Sequence, residues 1–395
     1  MEDVNLFNLT TEQMHEKNAV HTTREIHQQP VVWKELVSDF FKQQETFKGF
    51  LESIYKKHDH VRIILTGAGT SAFVGDTLVP ELARQNQRNV QFDSIPTTDI
   101  VSNPTEYLFK ETPTILVSFA RSGNSPESVA TVSLGQEIVD DFYQVVITCN
   151  KDGLLAKNIQ GDAKSITMLM PEKANDQSLA MTSSFTSMII AAYALFTEDV
   201  FTKDVAQQVI TAAEQLIGTL GDTIDEITGF DFERIVYLGS GLLAQLSHEA
   251  ALKMLELSGG QVVAIHESSL GFRHGPKSIL NDKSAVVLFV SQDPYTRQYD
   301  VDILRELAAA KSGMKIIALT ETKDEEVEEL ADWVVSVNAG TELLSNDFYL
   351  ALLYVIFAQA LALKKSIQLG ITPDNPSPDG AISRVVKGVT IYDYK

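Results

Sequence analysis

The sequence predicts an α/β protein built as two tandem domains, each a doubly wound parallel sheet flanked by helices. Three observations carry that expectation. Runs of β-branched and aliphatic residues recur along the chain, helix-length segments separate them, and the two halves resemble each other. Near-continuous apolar strands alternating with helices belong to a parallel sheet covered on both faces.

In chain order, residues 1–50 read as a polar helical extension (HTTREIHQQPVVWKEL and onward) with no strand pattern. The first domain is expected over 51–215, with strands at VRIIL (61–65), TILVSF (114–119) and QVVIT (144–148). The second is expected over 216–370, with strands at RIVYLG (234–239), AVVLFV (285–290) and KIIALT (315–320). VRIILTGAGTSA aligns with ERIVYLGSGLLA. The second strand of each half ends in a polar loop, SFARSGNSPES and FVSQDPYTRQ, and the third runs into an acidic turn, CNKDG and TETKDE. An internal duplication explains all three matches. The run FYLALLYVIFAQALAL (348–363) is short for a membrane span, contains Gln359 and follows Ser345-Asn346-Asp347, a cap signature. It is expected as a buried core helix. Residues 371–395 are punctuated by Pro and Gly and form a tail without a long helix.

At 395 residues the chain is long enough for two full cores, and its 44% hydrophobic and 22% charged content is that of a soluble globular protein. A net charge of −21 argues against nucleic acid and anionic membrane as partners, because phosphate backbones are bound by basic patches. A small anionic substrate stays open, since a pocket can be rich in amides inside an acidic shell. The single cysteine, Cys149, permits no intramolecular disulfide and fits a reducing cytoplasm. MEDVNLFNLT lacks the basic start and apolar core of a signal peptide. A soluble, cytoplasmic protein is expected.

Sites in such sheets lie at the carboxyl ends of the strands. LTGAGTSAF (65–73) follows a strand there and fits the dinucleotide pattern G-x-G-x-x-A, with Asp93 near the place of a ribose-binding acid. It equally offers Gly69, Thr70 and Ser71 to a sugar phosphate. The loop after the next strand sets Arg121, Ser122, Gly123 and Ser125 at a helix start, an anion-binding nest or simply a Ser-rich cap. In LLAQLSHEAALKMLEL (242–257), Glu249, Lys253 and Glu256 share one stripe of a mainly apolar helix. A solvated ion pair is one reading; a pocket with a tuned carboxylate is the other. His274, before Gly275-Pro276, suits proton transfer near neutral pH. No Cys/His cluster has metal-ligand spacing, so no metal site is expected.

Taken together, these motifs resemble the sugar isomerase (SIS) superfamily over nearly the whole chain. The likeness rests on Gly69-Thr70-Ser71, on Arg121-Ser122-Gly123-Asn124-Ser125, and on E-x-x-x-L-K-x-x-E followed by H-G-P, here Glu249, Lys253, Glu256 and His274-Gly275-Pro276. The domain pair is similar to the isomerase half of glucosamine-6-phosphate synthase, although Ala120 and Arg121 replace the Ser-Gln of its S-Q-S-G-E-T loop and no glutaminase domain is present. TTREIHQQPVVW and SLAMTSSFTSM resemble the stand-alone AgaS-type branch, known for galactosamine-6-phosphate deaminase/isomerase or tagatose-6-phosphate ketose/aldose isomerase activity. The resemblance implies two SIS domains and a phosphorylated amino sugar as substrate. Thr70, Ser71, Ser122, Ser125 and Thr182 become phosphate or sugar ligands. Glu256 becomes the base at C2, His274 the ring-opening group, and Lys253 and Glu249 its supports. The tail, with Lys387, closes over the sugar. It further implies no cofactor, no metal, and a homodimer or higher assembly. Glucosamine-6-phosphate deamination, fructosamine-6-phosphate cleavage and non-enzymatic sugar-phosphate sensing are the alternatives.

Overall fold

The computed structural model describes residues 4–86, 88–197, 200–310, 312–340, 342–344, 346–384 and 388–395. The chain forms two compact units. One, the sheet-one unit, comprises Val31–Asp176, Ser183–Lys203 and Gly380–Lys395. The other, the sheet-two unit, comprises Met1–Pro30, Gln177–Thr182 and Asp204–Asp379. The division does not follow chain order: the N-terminal residues belong with the second sheet and the C-terminal tail with the first.

The chain opens on two short antiparallel strands, β1 (Asn5–Leu6) and β2 (Leu9–Thr10). The sequence pattern predicted helix only. The reversal between them uses Phe7 at φ 51° and Asn8 at φ 60°, a left-handed pair that makes a tight hairpin turn and leaves no period-two signal to read. Helix Thr11–Glu16 follows, with a capping box between Thr10 and Gln13.

Sheet one holds β3 (Val61–Thr66), β4 (Val90–Ser94), β5 (Thr114–Ala120), β6 (Phe142–Thr148) and β7 (Ser165–Leu169). They run all parallel in the order β4-β3-β5-β6-β7. Every residue of β3, β5 and β6 is buried, which is why those strands read as continuous apolar runs. The edge strands β4 and β7 are half-exposed and mixed in character, and the sequence pattern did not resolve them.

Sheet two repeats the plan. Strands β8 (Arg234–Gly239), β9 (Val263–Ser268), β10 (Ser284–Phe289), β11 (Lys315–Thr320) and β12 (Trp333–Ser336) are parallel in the order β9-β8-β10-β11-β12. Counted from its own first strand, each sheet has the order 2-1-3-4-5, whose strand order reverses between the first and third strands, where crevices form. The helix Leu242–Leu257 packs on β8 and β9 and against the 22-residue helix Asp347–Gln368. That second helix is long and apolar enough to cross a membrane, yet it is buried inside its unit. Asn346 caps it by accepting from the Phe348 amide at 2.8 Å, as the sequence indicated, while Ser345 lies outside the described residues. The Gln359 side-chain oxygen accepts from Gln29 Nε2 at 2.8 Å.

The two Gly-x-Gly turns are near copies. Gly69 has φ 56° and ψ −131°, Gly241 φ 56° and ψ −126°. A Cβ on Gly67 would lie 2.5 Å from the Ser71 carbonyl carbon, and one on Gly239 2.7 Å from that of Leu243. These first glycines exist so that strand and helix can meet closely. Gly239→Ala should therefore destabilise the fold by about 1–3 kcal/mol, the usual cost of overpacking. Denaturant unfolding measures it, and an unchanged midpoint would refute the close-approach account.

Candidate active site

In sheet one, the loops after β3 and β5 flank the point of strand-order reversal. Gly69 precedes the helix Thr70–Gln85, so its first amides and the buried Thr70 and Ser71 lie at the carboxyl end of β3. The second loop is held by its surroundings. Asn150 donates to the Ser122 carbonyl at 2.8 Å, and the Leu154 amide donates to Asn124 Oδ1 at 2.9 Å. Gly123 takes φ 67° where the chain passes Gly153. Ser125 stands at the N-cap of the helix Pro126–Ile138, but its hydroxyl is 2.6 Å from that of Ser128 and caps no amide. Hydroxyls and amides of two helix starts thus stand at the carboxyl ends of neighbouring strands, an arrangement suited to an anion. Asp93, by contrast, accepts from Arg62 Nε at 2.5 Å and from Gln91, so the carboxylate required for a ribose is already engaged.

Arg121 is buried at the head of the second loop and donates to the Arg384 carbonyl of the tail at 2.7 Å. Arg384 itself donates through Nε to the Asp176 carbonyl at 3.0 Å and through Nη2 to Asn175 at 3.0 Å. The Asp176 carboxylate caps the helix Ser183–Phe196 through the amides of Ser183 at 3.0 Å and Ser184 at 2.9 Å. Thr182 is fully buried. Lys387 lies outside the described residues.

In sheet two, the three charged residues of the helix Leu242–Leu257 form one set. Lys253 Nζ is 2.6 Å from Glu256 Oε2 and 3.4 Å from Glu249 Oε1. Lys253 and Glu249 are 0% exposed, whereas the Glu256 side chain is 21% exposed. Burial by itself would lower the Lys253 ammonium; Glu249 and Glu256 outweigh it and hold it above the ordinary lysine value. The solvated-face reading of this stripe is therefore wrong. Glu256 alone of the three reaches the surface, which is what a base acting on a substrate requires. His274 ends a short 3₁₀ turn, is exposed, and has no hydrogen bond or ion pair to the set among the described residues. The structure thus joins Glu249, Lys253 and Glu256 in one ion set, of which His274 is not a member.

The SIS domain family matches the chain twice, at residues 54–198 and 230–365, and those spans contain both sheets. The chain belongs to the SIS domain family. It is 40% identical to the D-galactosamine-6-phosphate deaminase AgaS of Escherichia coli over 381 residues, 95% of this chain and 96% of that protein. The protein of the same name from Shewanella sp. (strain ANA-3) is also 40% identical, over 394 residues covering 100% of this chain and 97% of that one. The crystal structure of tagatose-6-phosphate ketose/aldose isomerase from Escherichia coli superposes with a TM-score of 0.86 at 38% identity, covering 95% of this chain and 97% of that one.

Residues of this SIS chain that motif reading did not single out are Asp176 and Arg384, both polar anchors of the tail and loop. A carboxylate seven residues before a Ser-Ser helix start was the only local signal for Asp176; Arg384 had none. His248 is another residue that no motif singled out. It stacks on His266 with ring centroids 3.9 Å apart and planes 16° apart. Burial, then the neighbouring His266, lowers His248 to about 4. Unfolded histidine takes its proton near 6.5, so between pH 6.5 and 4 the unfolded state holds the extra proton and stability falls as pH falls. His248→Asn should flatten the melting-temperature profile in that window. Identical slopes for the variant and the wild type would contradict the assignment.

Proposed function

We propose that this chain converts D-galactosamine 6-phosphate to tagatose 6-phosphate and ammonia. The observation that carries the reading is the buried Lys253 holding Glu256, the exposed member of its set, at 2.6 Å. Support also comes from full-length relatives that carry the deaminase and isomerase names.

In this reading the 6-phosphate sits against Thr70, Ser71, Ser122 and Ser125. Gly69 and Gly123 allow the backbone to approach it, and Arg121 fixes the second loop on the tail. His274 moves a proton between the ring oxygen and the C1 hydroxyl, opening the pyranose to its aldehyde. Glu256 then takes the proton from C2. The electron pair left behind forms the C1–C2 double bond of an enolamine, and the carbonyl oxygen takes up a proton to become a hydroxyl, a proton returned when the amine nitrogen loses one on forming the imine. Glu256 returns the proton to C1, which leaves an imine at C2. Water adds to that imine and the C–N bond breaks, releasing ammonia and the 2-ketose. Lys253 steadies charge on the oxygen and orients the base, and Glu249 orients Lys253. Thr182 and Lys387 are carried as sugar ligands on the family resemblance, with 371–395 as the closing tail.

The working form is a homodimer or larger assembly in the cytoplasm, in which His274 serves the site of a second copy. Its exposure supports this, as do Leu255, Val263 and Leu270, which are exposed on and around the edge strand β9. Mixing separately inactive Glu256→Gln and His274→Ala chains should restore turnover. No recovery in a mixture shown to have exchanged subunits would rule out action across the interface.

Ammonia release, assayed across the 6-phosphates of galactosamine, glucosamine and their N-acetyl forms, tests the substrate. Fastest release from galactosamine 6-phosphate is expected. Faster release from glucosamine 6-phosphate selects the gluco reading, and binding without turnover selects a sensor. Glu256→Gln should lower turnover about 10²–10⁴-fold while phosphate affinity persists; a fully active variant removes Glu256 from the mechanism.

A further inference from the structure

The crevice at the strand-order reversal of sheet two is already filled. Asp300, fully buried, points its carboxylate between the ends of three strands. Oδ1 accepts from the Ser240 hydroxyl after β8 at 2.6 Å and from the Ser269 hydroxyl after β9 at 2.5 Å. Oδ2 accepts from the Ser291 amide after β10 at 3.0 Å. Asp347 lies beside it, accepting from the Ser291 hydroxyl at 2.6 Å and the Gln292 amide at 3.0 Å.

The duplication allows the same place to be found in sheet one. Arg62 pairs with Thr114 there as Arg234 pairs with Ser284 here. The Thr97 amide bonds the Gly67 carbonyl at 2.8 Å, and the Ser269 amide bonds the Gly239 carbonyl at 2.8 Å. The helices that follow the third strands begin at Pro126 and Thr296, so their fifth residues are Ala130 and Asp300. Where sheet two carries a carboxylate, sheet one carries a methyl group. The loops differ in the opposite sense: Ser122 and Ser125 correspond to Gln292 and Tyr295. At these two loop positions sheet one carries hydroxyls and sheet two does not; on the helix that follows, sheet two supplies its own carboxylate where sheet one has only a methyl group.

The geometry points to Asp300 as a built-in anion that closes the sheet-two crevice, so that each chain keeps one open oxyanion site and Ala130 is the residue that keeps it open. Burial raises the Asp300 carboxyl, and its bonds to Ser240, Ser269 and Ser291 oppose that rise. The acid is thus retained against a desolvation cost because three donors need an acceptor. The role of Asp300 is independent of the proposed reaction. The role of Ala130 rests on the phosphate lying in the sheet-one nest.

Two measurements on the full-length protein separate these parts. Calorimetric titration with inorganic phosphate should find that Ala130→Asp weakens binding by about 100-fold, as like charges in one pocket oppose each other. Ala130→Asn, equal in size and uncharged, should bind more tightly than Ala130→Asp. Unchanged affinity in Ala130→Asp, or equal loss in both variants, overturns the role of Ala130. For Asp300, thermal unfolding of Asp300→Ala should show a lowered melting temperature that added formate, a carboxylate the size of the deleted group, partly restores, with no such gain in the wild type. Failure of formate to restore it overturns the role of Asp300. Should Asp300→Ala not fold, Asp300→Asn keeps the shape without the charge, and wild-type stability in that variant is equally fatal. Were phosphate not to bind the wild type at all, the sheet-one reading would fall while the Asp300 result stood.

Discussion

The arrangement of the sheet-two unit depends on one buried charge. Lys253 has no exposed surface, and an ammonium removed from water costs several kcal/mol even after the protein relaxes around it. Glu249 and Glu256, one turn to either side on the same helix, are the groups able to repay that cost. Their spacing then fixes which face of Leu242–Leu257 must be the charged one. The remaining faces are free to be apolar and to pack on β8, β9 and the helix Asp347–Gln368. An ion set buried this way contributes little to stability beyond what apolar residues would give. It does restrict Glu256 to one position, at the surface end of a set whose other two members are fully buried.

The sequence made legible what is repetitive or buried. β3, β5, β6, β8 and β10 are buried over most or all of their length and read as apolar runs, and β11 reads the same way. Edge strands face solvent on part of their surface, so β4, β7, β9 and β12 mix residue types and gave no run to find. Of the site, the Glu249–Lys253–Glu256 stripe was visible because helix periodicity is local, although whether it faced water was not. Asp300, Asp176 and Arg384 were invisible for the same reason that they matter. Each acts on groups brought near by the fold, with Arg384 reaching Asn175 and Asp176 across more than two hundred residues of sequence.

Duplication here preserved geometry and divided chemistry. The two sheets share strand order and the paired glycine turns have almost the same dihedral angles. Their first helices nevertheless open differently, Thr70-Ser71 in one and Leu242-Leu243 in the other. The second buries the Glu249–Lys253 pair in its middle, whereas the buried charge of the first, Glu81, lies near its far end and pairs with Arg84. A parallel sheet creates a crevice at its reversal point whether or not a ligand uses it. A crevice lined by amides and hydroxyls must be satisfied by something. Sheet two satisfies it from within.

The same reasoning explains how a chain of net charge −21 can hold an anion. Surface charges are screened over about 8 Å at physiological ionic strength, so distant carboxylates oppose an incoming phosphate only weakly. Many are moreover partnered at the surface, as Asp141 is with Lys57 and Asp332 with Lys315. What an oxyanion meets at contact distance is a set of hydroxyls and helix-start amides in a partly desolvated loop, where hydrogen bonds to charge are roughly twice as strong as neutral ones. The decisive quantity is the local count of donors against acceptors. In the proposed reading the nest of sheet one takes an external anion, while the crevice of sheet two already holds the carboxylates of Asp300 and Asp347.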